Sequence, residues 1–105
     1  MKFDNPKLVD AIADVLATGG IYECQRTGRR YQAMPESCVV EELLARGWRN
    51  ITGRNNIVHG FADNGFTRLI SDASPNSGVH GEWAQVFSDG RKGRRLAKYQ
   101  TLITL

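Results

Sequence analysis

The chain has 105 residues, of which 41% are hydrophobic and 24% are charged, and its formal net charge is +3. These values are average for a soluble globular domain, so we expect one compact domain over 1–105 with its own hydrophobic core. The apolar runs are too short for a signal peptide or for the roughly 20 residues of a membrane span. We therefore expect a cytoplasmic protein that does not contact membranes.

Two helices are predicted, and both have recognisable ends. The first covers about 6–17, where a proline follows the N-cap residue Asn5 and apolar residues recur at helical spacing. The second runs from about Pro35 or Ser37 to Arg46, and a glycine directly after it is a natural helix stop.

Two hairpins are predicted from alternating apolar and polar residues. The first covers 21–34, with Thr27-Gly28 at the tip, where glycine can adopt a positive φ. The second joins 82–87 to a long final strand at 94–105. Alternation in the final strand places Tyr99 on the inward face, together with Ala97, Thr101, Ile103 and Leu105.

Between these elements the sequence predicts a third hairpin. Segments 56–61 and 66–71 are strand-like, and the Asn64-Gly65 pair between them is typical of a tight hairpin turn. Residues 74–78 have the composition of a loop. The resulting order α-β-β-α-β-β-β-β predicts an α+β fold, with two helices packed on a largely antiparallel β-sheet.

A metal site is the first chemical possibility to weigh. Cys24, Cys38, His59 and His80 are the whole supply of soft ligands, and successive members are 14, 21 and 21 residues apart. Structural zinc sites normally use closely spaced ligand pairs, and this chain has none. The sequence also contains no cofactor motif, so we expect neither a metal nor a cofactor, and we interpret the cysteines as buried thiols.

An enzyme is the second possibility. His80 and Glu82 are two residues apart, so both side chains point to one face if this segment is a strand. With a nearby arginine such as Arg68, and with His59 as a further candidate, this pair suits a small metal-independent ribonuclease. The same residues occur together by chance in chains of this size, so we rank catalysis third among the possible functions.

The uneven charge distribution is the main functional clue. Residues 1–52 carry seven cations and seven anions, whereas residues 53–105 carry seven cations and four anions. Two basic clusters stand out, one in each predicted hairpin: Arg26, Arg29 and Arg30 in the first, and Arg91, Lys92, Arg94, Arg95 and Lys98 in the second. If both hairpin tips lie at one end of the sheet, they form a single positive patch.

These clusters favour a protein that acts by binding. We expect an acidic protein or nucleoprotein surface as the partner, contacted by the two basic clusters, and a homodimer remains compatible with the sequence. Small domains without enzymatic motifs are typical of phage and mobile-element inhibitors that modulate a nucleic-acid-handling machine. The alternative is direct RNA or DNA binding through the same cations.

Overall fold

The structure, a computed structural model, describes Phe3 and residues 5–49, 51, 57–71 and 79–105. Within these residues it contains helices α1 (Pro6–Leu16) and α2 (Glu36–Ala45) and two short 3₁₀ helices at Ile57–Gly60 and Ala62–Asn64. The strands are β1 (Gly20–Cys24), β2 (Arg30–Pro35), β3 (Thr67–Ser71), β4 (Val79–Gly81), β5 (Trp83–Val86), β6 (Lys92–Arg95) and β7 (Thr101–Thr104).

Helix α1 forms where the sequence predicts it. The Asn5 side chain accepts a hydrogen bond from the Lys7 backbone N–H at 3.0 Å, which satisfies one of the unpaired donors of the first turn. The apolar stripe is buried and consists of Leu8, Ile12, Val15 and Leu16. Local capping and amphipathic spacing therefore agree with the tertiary packing.

The first hairpin and α2 are also confirmed. Strands β1 and β2 pair antiparallel with Tyr22 opposite Tyr31, and Gly28 in the connecting turn has a φ of +76°. Helix α2 follows β2 directly and ends before Gly47, whose φ is +97°. Both glycines adopt left-handed conformations that strain other residues, which is why they mark these turns in the sequence.

The strands form one mixed sheet in the order β4-β3-β7-β2-β1-β5-β6. Strands β4 and β5 lie five positions apart in this order, which would separate them by about 24 Å in a flat sheet. Only Glu82 lies between them in the chain, and two peptide units span at most about 7 Å. The sheet therefore curls into a cylinder, and β4 and β5 form one strand that bends at Glu82.

The curled sheet separates two hydrophobic clusters. In β7, Ile103 packs in a cluster with both helices, whereas the adjacent Leu102 packs in a second cluster inside the cylinder. Successive strand residues point to opposite faces, so β7 is buried on both sides. The interior cluster comprises Tyr22, Cys24, Ala33, Leu69, Trp83 and Leu102, and the Trp83 indole N–H donates to the Ile70 carbonyl oxygen at 3.2 Å.

The α+β class is confirmed, and so is the predicted element order when β4 and β5 are counted as one bent strand. Among the described strand pairs, β3 and β4 run parallel and the rest are antiparallel. No helix in the described parts of the chain has the length and apolar character to cross a membrane. The predicted loop at 74–78 lies outside the described residues.

The predicted strand at 56–61 is wrong. Its described part forms a 3₁₀ helix at Ile57–Gly60, and Ile57 and Phe61 are fully buried in the helix-side cluster. Residues four apart share a face in an extended strand and lie close together on a helical turn, so their spacing alone did not distinguish the two conformations. Gly65 has a φ of +90° and ends the second 3₁₀ helix, so the Asn64-Gly65 pair does not form a hairpin turn.

The continuous final strand at 94–105 is also wrong, because residues 96–100 break it. Tyr99 has a φ of +69° and is 63% exposed, so it does not pack inward. Ser71 organises this break: its backbone O accepts from Tyr99 N–H at 2.8 Å and its N–H donates to the Gln100 carbonyl at 2.9 Å. The break lets the chain leave β6 at the sheet edge and enter again as β7, between β3 and β2.

Closure of the cylinder predicts unequal effects at the two tryptophans. We expect Trp83→Phe to lower the free energy of unfolding by about 2 kcal/mol or more, because it removes a buried N–H donor and shrinks a fully buried ring. The matched change Trp48→Phe, at a partly buried position, should cost about 1 kcal/mol or less. Urea denaturation of both variants checks this, and equal losses would contradict the curled architecture.

Candidate partner-binding surface

The two basic hairpins are neighbours in the sheet, but their tips are not. Strand β1 pairs with β5, with Cys24 opposite Trp83 and Ile21 opposite Val86. Because these strands run antiparallel, the turn that follows Cys24 and the turn that follows Val86 lie at opposite ends of the sheet. The predicted patch therefore does not form from two adjacent tips.

Glu23 nevertheless joins the two hairpins. Its carboxylate accepts a hydrogen bond from Arg30 Nε at 2.8 Å and lies 2.8 Å from Lys92 Nζ. Arg30 stands opposite Glu23 on β2, whereas Lys92 belongs to β6. The two cations cover the carboxylate, which is 9% exposed, and hydrogen bonds from Lys92 and Arg30 hold the pKa of Glu23 below its ordinary value of 4.5.

Glu82 makes a second bridge of the same kind. Arg26 Nε lies 3.4 Å from one of its carboxylate oxygens, and a terminal nitrogen of Arg95 lies 3.3 Å from the other. Arg26 follows β1, and Arg95 ends β6. Each carboxylate thus holds one cation from each hairpin. We define the basic face as the surface formed by Arg26, Arg30, Lys92 and Arg95 around Glu23 and Glu82.

Strand register places these side chains on one side of the sheet. Ala84 stands opposite both Glu23 and Arg95, and cross-strand neighbours point to the same face. Four cations and two carboxylates leave this face with two net positive charges. The cation side chains are 49% to 64% exposed, so their outer parts remain in solvent.

The other predicted cations are not part of the basic face. Arg91 binds Asp89, with Nε 2.6 Å from the carboxylate, and Lys98 Nζ lies 5.5 Å from the Tyr99 ring centroid. Arg29 and Arg94 are exposed and form no ion pair with a described residue. The partner-binding role of all eight residues stays a prediction.

The basic face also contains apolar surface. Ile21 is 39% exposed and stands opposite Val86, which in turn stands opposite Lys92. The two helices pack mainly against β2 and β7, so they leave this side of β1, β5 and β6 accessible. The result is a mixed basic and apolar surface on a rigid sheet.

The sequence reasoning missed the two carboxylates that organise this surface. The first hairpin contained only a partial signal for Glu23, because a turn centred on Thr27-Gly28 would place it opposite Gln32, whereas the observed register places it opposite Arg30. No local signal could have linked Glu23 to Lys92, since that contact depends on the pairing of β1 with β5. Glu82 was noted only as a catalytic candidate.

The structure does not bring His80 and Glu82 into hydrogen-bond contact. Glu82 is engaged by two arginines, and both ring nitrogens of His80 are buried without a hydrogen-bond partner among the described residues. The side chain of His59 lies outside what the structure describes. Catalysis therefore stays an untested alternative. Among the described residues, no three metal-ligating side chains come together.

Neither cysteine forms a disulfide, and Cys24 lies in an unusual environment. Burial opposes ionisation of its thiol, but the Thr27 hydroxyl and the backbone N–H groups of Glu82, Thr27 and Arg26 hydrogen-bond to the sulfur. Together these contacts lower the pKa of Cys24 to about 7. The thiol is buried in the interior cluster, so the effect concerns the stability of the fold.

A small cleft lies between the start of α2 and the segment that leads into β7. Its volume is about 210 Å³, and Glu36, Tyr99 and Gln100 are among its lining residues. Pockets for small molecules usually measure about 300 to 1,000 Å³, so this cleft is small for a ligand site. The basic face is therefore the stronger candidate surface.

Comparison with known proteins adds no family assignment. No family model matches the chain, and no curated protein or solved structure matches it. The function must therefore be argued from the geometry and charge of the basic face.

The Glu23 bridge predicts a pH-dependent contribution to stability. Because its folded-state pKa is lowered, the contribution is present above the unfolded-state pKa and is lost as pH falls through the folded-state pKa. Glu23→Gln should therefore be less stable than wild type at neutral pH, and the difference should shrink below about pH 4.5. Urea denaturation across this range measures it. Glu41→Gln, at an exposed site on α2, is the matched control, and equal behaviour of both variants would contradict the bridge.

The Cys24 environment predicts the same sign of pH dependence as Glu23, in a higher pH window. Its pKa falls from 9.0 to about 7 on folding, so thiolate stabilisation is complete above about pH 9 and absent below about pH 7. The comparison uses two proteins that both contain Cys38→Ser, one with Cys24 and one with Cys24→Ala. The free energy of unfolding of the protein with Cys24, relative to that of the Cys24→Ala protein, should rise as pH increases through this window. Denaturation curves at several pH values check this, and a pH-independent difference would refute the hydrogen-bonded thiolate.

Proposed function

We propose that the chain is a non-enzymatic binding protein that docks an acidic protein surface through its basic face. One observation carries this proposal: cations from two separate hairpins converge on one exposed side of the sheet, each pair held by a shared carboxylate. Folding does not require so many cations at one place. A partner that presents carboxylates would use them.

The carboxylate bridges prepare the surface for binding. Arginine and lysine side chains are long, and immobilising each one on binding costs about 0.5–1.5 kcal/mol. Glu23 and Glu82 already restrain four of them in the unbound protein. Part of the entropy cost of binding is therefore met during folding, and this favours a defined site over diffuse charge attraction.

The restrained cations keep donors for a partner. Arg30 uses its Nε to bind Glu23, and a guanidinium has five N–H donors, so its outer groups can bind a second carboxylate. Exposed ion pairs are worth only about 0–1 kcal/mol, so a partner carboxylate can also compete for these cations at low cost.

One feature favours a protein partner over nucleic acid. Exposed Ile21 beside the cations gives the mixture of arginine and apolar surface that protein interfaces use. The expectations of a nucleic-acid-handling partner and of an inhibitory role stay predictions.

Charge reversal tests the proposal with polyglutamate as the acidic probe. The double variant Lys92→Glu/Arg95→Glu reverses the two β6 cations of the basic face and should weaken polyglutamate binding by about 5- to 30-fold. Fluorescence anisotropy at about 50 mM and about 200 mM salt measures the affinity and its salt dependence.

Lys7→Glu is the control for net charge. Lys7 lies at the start of α1. Gln32, beside the basic face, donates a hydrogen bond to the carbonyl of Ala17 at the other end of this helix, about 15 Å from Lys7 along the helix axis. Lys7→Glu should therefore leave polyglutamate binding nearly unchanged. Lys7→Glu reverses one charge and the double variant reverses two, so a loss from Lys7→Glu about half as large in log Kd would mean that binding follows total charge, which refutes a defined surface. Tighter binding to duplex DNA or to RNA than to polyglutamate would favour the nucleic-acid alternative.

A further inference from the structure

Among the described residues, strand β6 is an edge of the sheet. It is the last strand in the order and pairs on one side with β5. Among its residues, Lys92, Arg94 and Arg95 are exposed and Gly93 is half-buried. An edge strand presents backbone N–H and C=O groups that another extended chain can bind.

The register shows which backbone groups face outward. Leu96 N–H donates to the Trp83 carbonyl at 2.8 Å, and Phe87 N–H donates to the Arg91 carbonyl at 2.8 Å. The cross-strand pairs between these bonds, Val86 with Lys92 and Ala84 with Arg95, are therefore pairs without hydrogen bonds between them. The N–H and C=O groups of Lys92 and Arg95 consequently point away from β5, towards the side of β6 on which no described strand pairs.

The same two residues belong to the basic face. Lys92 and Arg95 each bind a carboxylate with their side chains while their backbone groups remain at the edge. A bulge between them places two residues of β6 opposite one residue of β5. Charge and the bulge both discourage pairing with a random strand, so the edge accepts a restricted class of partner.

We infer that β6 binds an extended acidic segment of the partner as an added strand. This inference rests on the proposed function, because it names how the acidic partner engages the basic face. Hydrogen bonds to the backbone of Lys92 and Arg95 would fix the register of the segment. Alternating carboxylates on the segment would face the cations of β6 and of the neighbouring hairpin.

Charge decides against a second copy of this chain as the occupant. Pairing β6 with another β6 would bring Lys92, Arg94 and Arg95 of both copies together, and like charges opposite each other destabilise a sheet. Nucleic acid has no peptide groups to continue a β-ladder. An acidic polypeptide satisfies both the backbone groups and the cations.

Two variants of Arg95 separate backbone pairing from charge. Arg95→Ala and Arg95→Pro remove the same charge, but only proline removes the outward N–H, and proline is tolerated on edge strands when its N–H faces solvent. The probe is a short capped peptide in which glutamate alternates with valine. We expect Arg95→Pro to bind it about 5- to 10-fold more weakly than Arg95→Ala, as measured by fluorescence anisotropy.

Amide hydrogen exchange on the wild-type protein gives an independent measurement that needs no variant to fold. Binding of the glutamate–valine peptide should slow exchange at the Lys92 and Arg95 N–H groups. A peptide with glutamine in place of each glutamate should not slow it. Equal affinities of the two Arg95 variants, or unchanged exchange at both N–H groups when the peptide is bound, would overturn strand addition. These outcomes differ from failure of the proposed function. In that case polyglutamate binding would not depend on the cations of the basic face.

Discussion

Glu82 stands between β4 and β5, and this single residue must span strands that are five positions apart in the sheet. The connection is possible only because the sheet curls until its first strand meets its sixth. Curling encloses the interior cluster around Trp83, whose indole N–H bonds to β3. It also leaves the outer side of β7 and β2 for the helices. The two hydrophobic clusters therefore depend on one short connection.

The same geometry creates the basic face. Strand β5 enters the sheet beside β1, so the hairpin that it forms with β6 lies next to the hairpin of β1 and β2. Glu23 and Glu82 then each receive a cation from both hairpins. These ion pairs are too exposed to stabilise the fold strongly, but they orient flexible side chains. Their main physical effect is on the order of the surface.

Prediction from sequence succeeded where local chemistry and tertiary packing agreed. Helix α1 has a cap at Asn5 and one apolar stripe, and Gly28 and Gly47 adopt the conformations that their turns require. It failed at 56–61 and at 96–100. A short apolar segment fits either a helical or an extended period, and the core selects between them. At Tyr99, hydrogen bonds to distant Ser71 hold a backbone conformation that tyrosine by itself disfavours.

The candidate surface was likewise predictable from the sequence only in part. Its cations were visible as two clusters, because charge is a property of composition along the chain. Their arrangement was not visible, since it depends on which strands pair, and those pairings join residues about 60 positions apart. The sequence by itself thus determined the helices, the turns and the excess of positive charge, all of which arise from neighbouring residues. Tertiary structure alone decided that the sheet curls, that the two hairpin tips lie apart and that cations of the two hairpins meet on one face. Long-range strand pairing and a single-residue connection control these features.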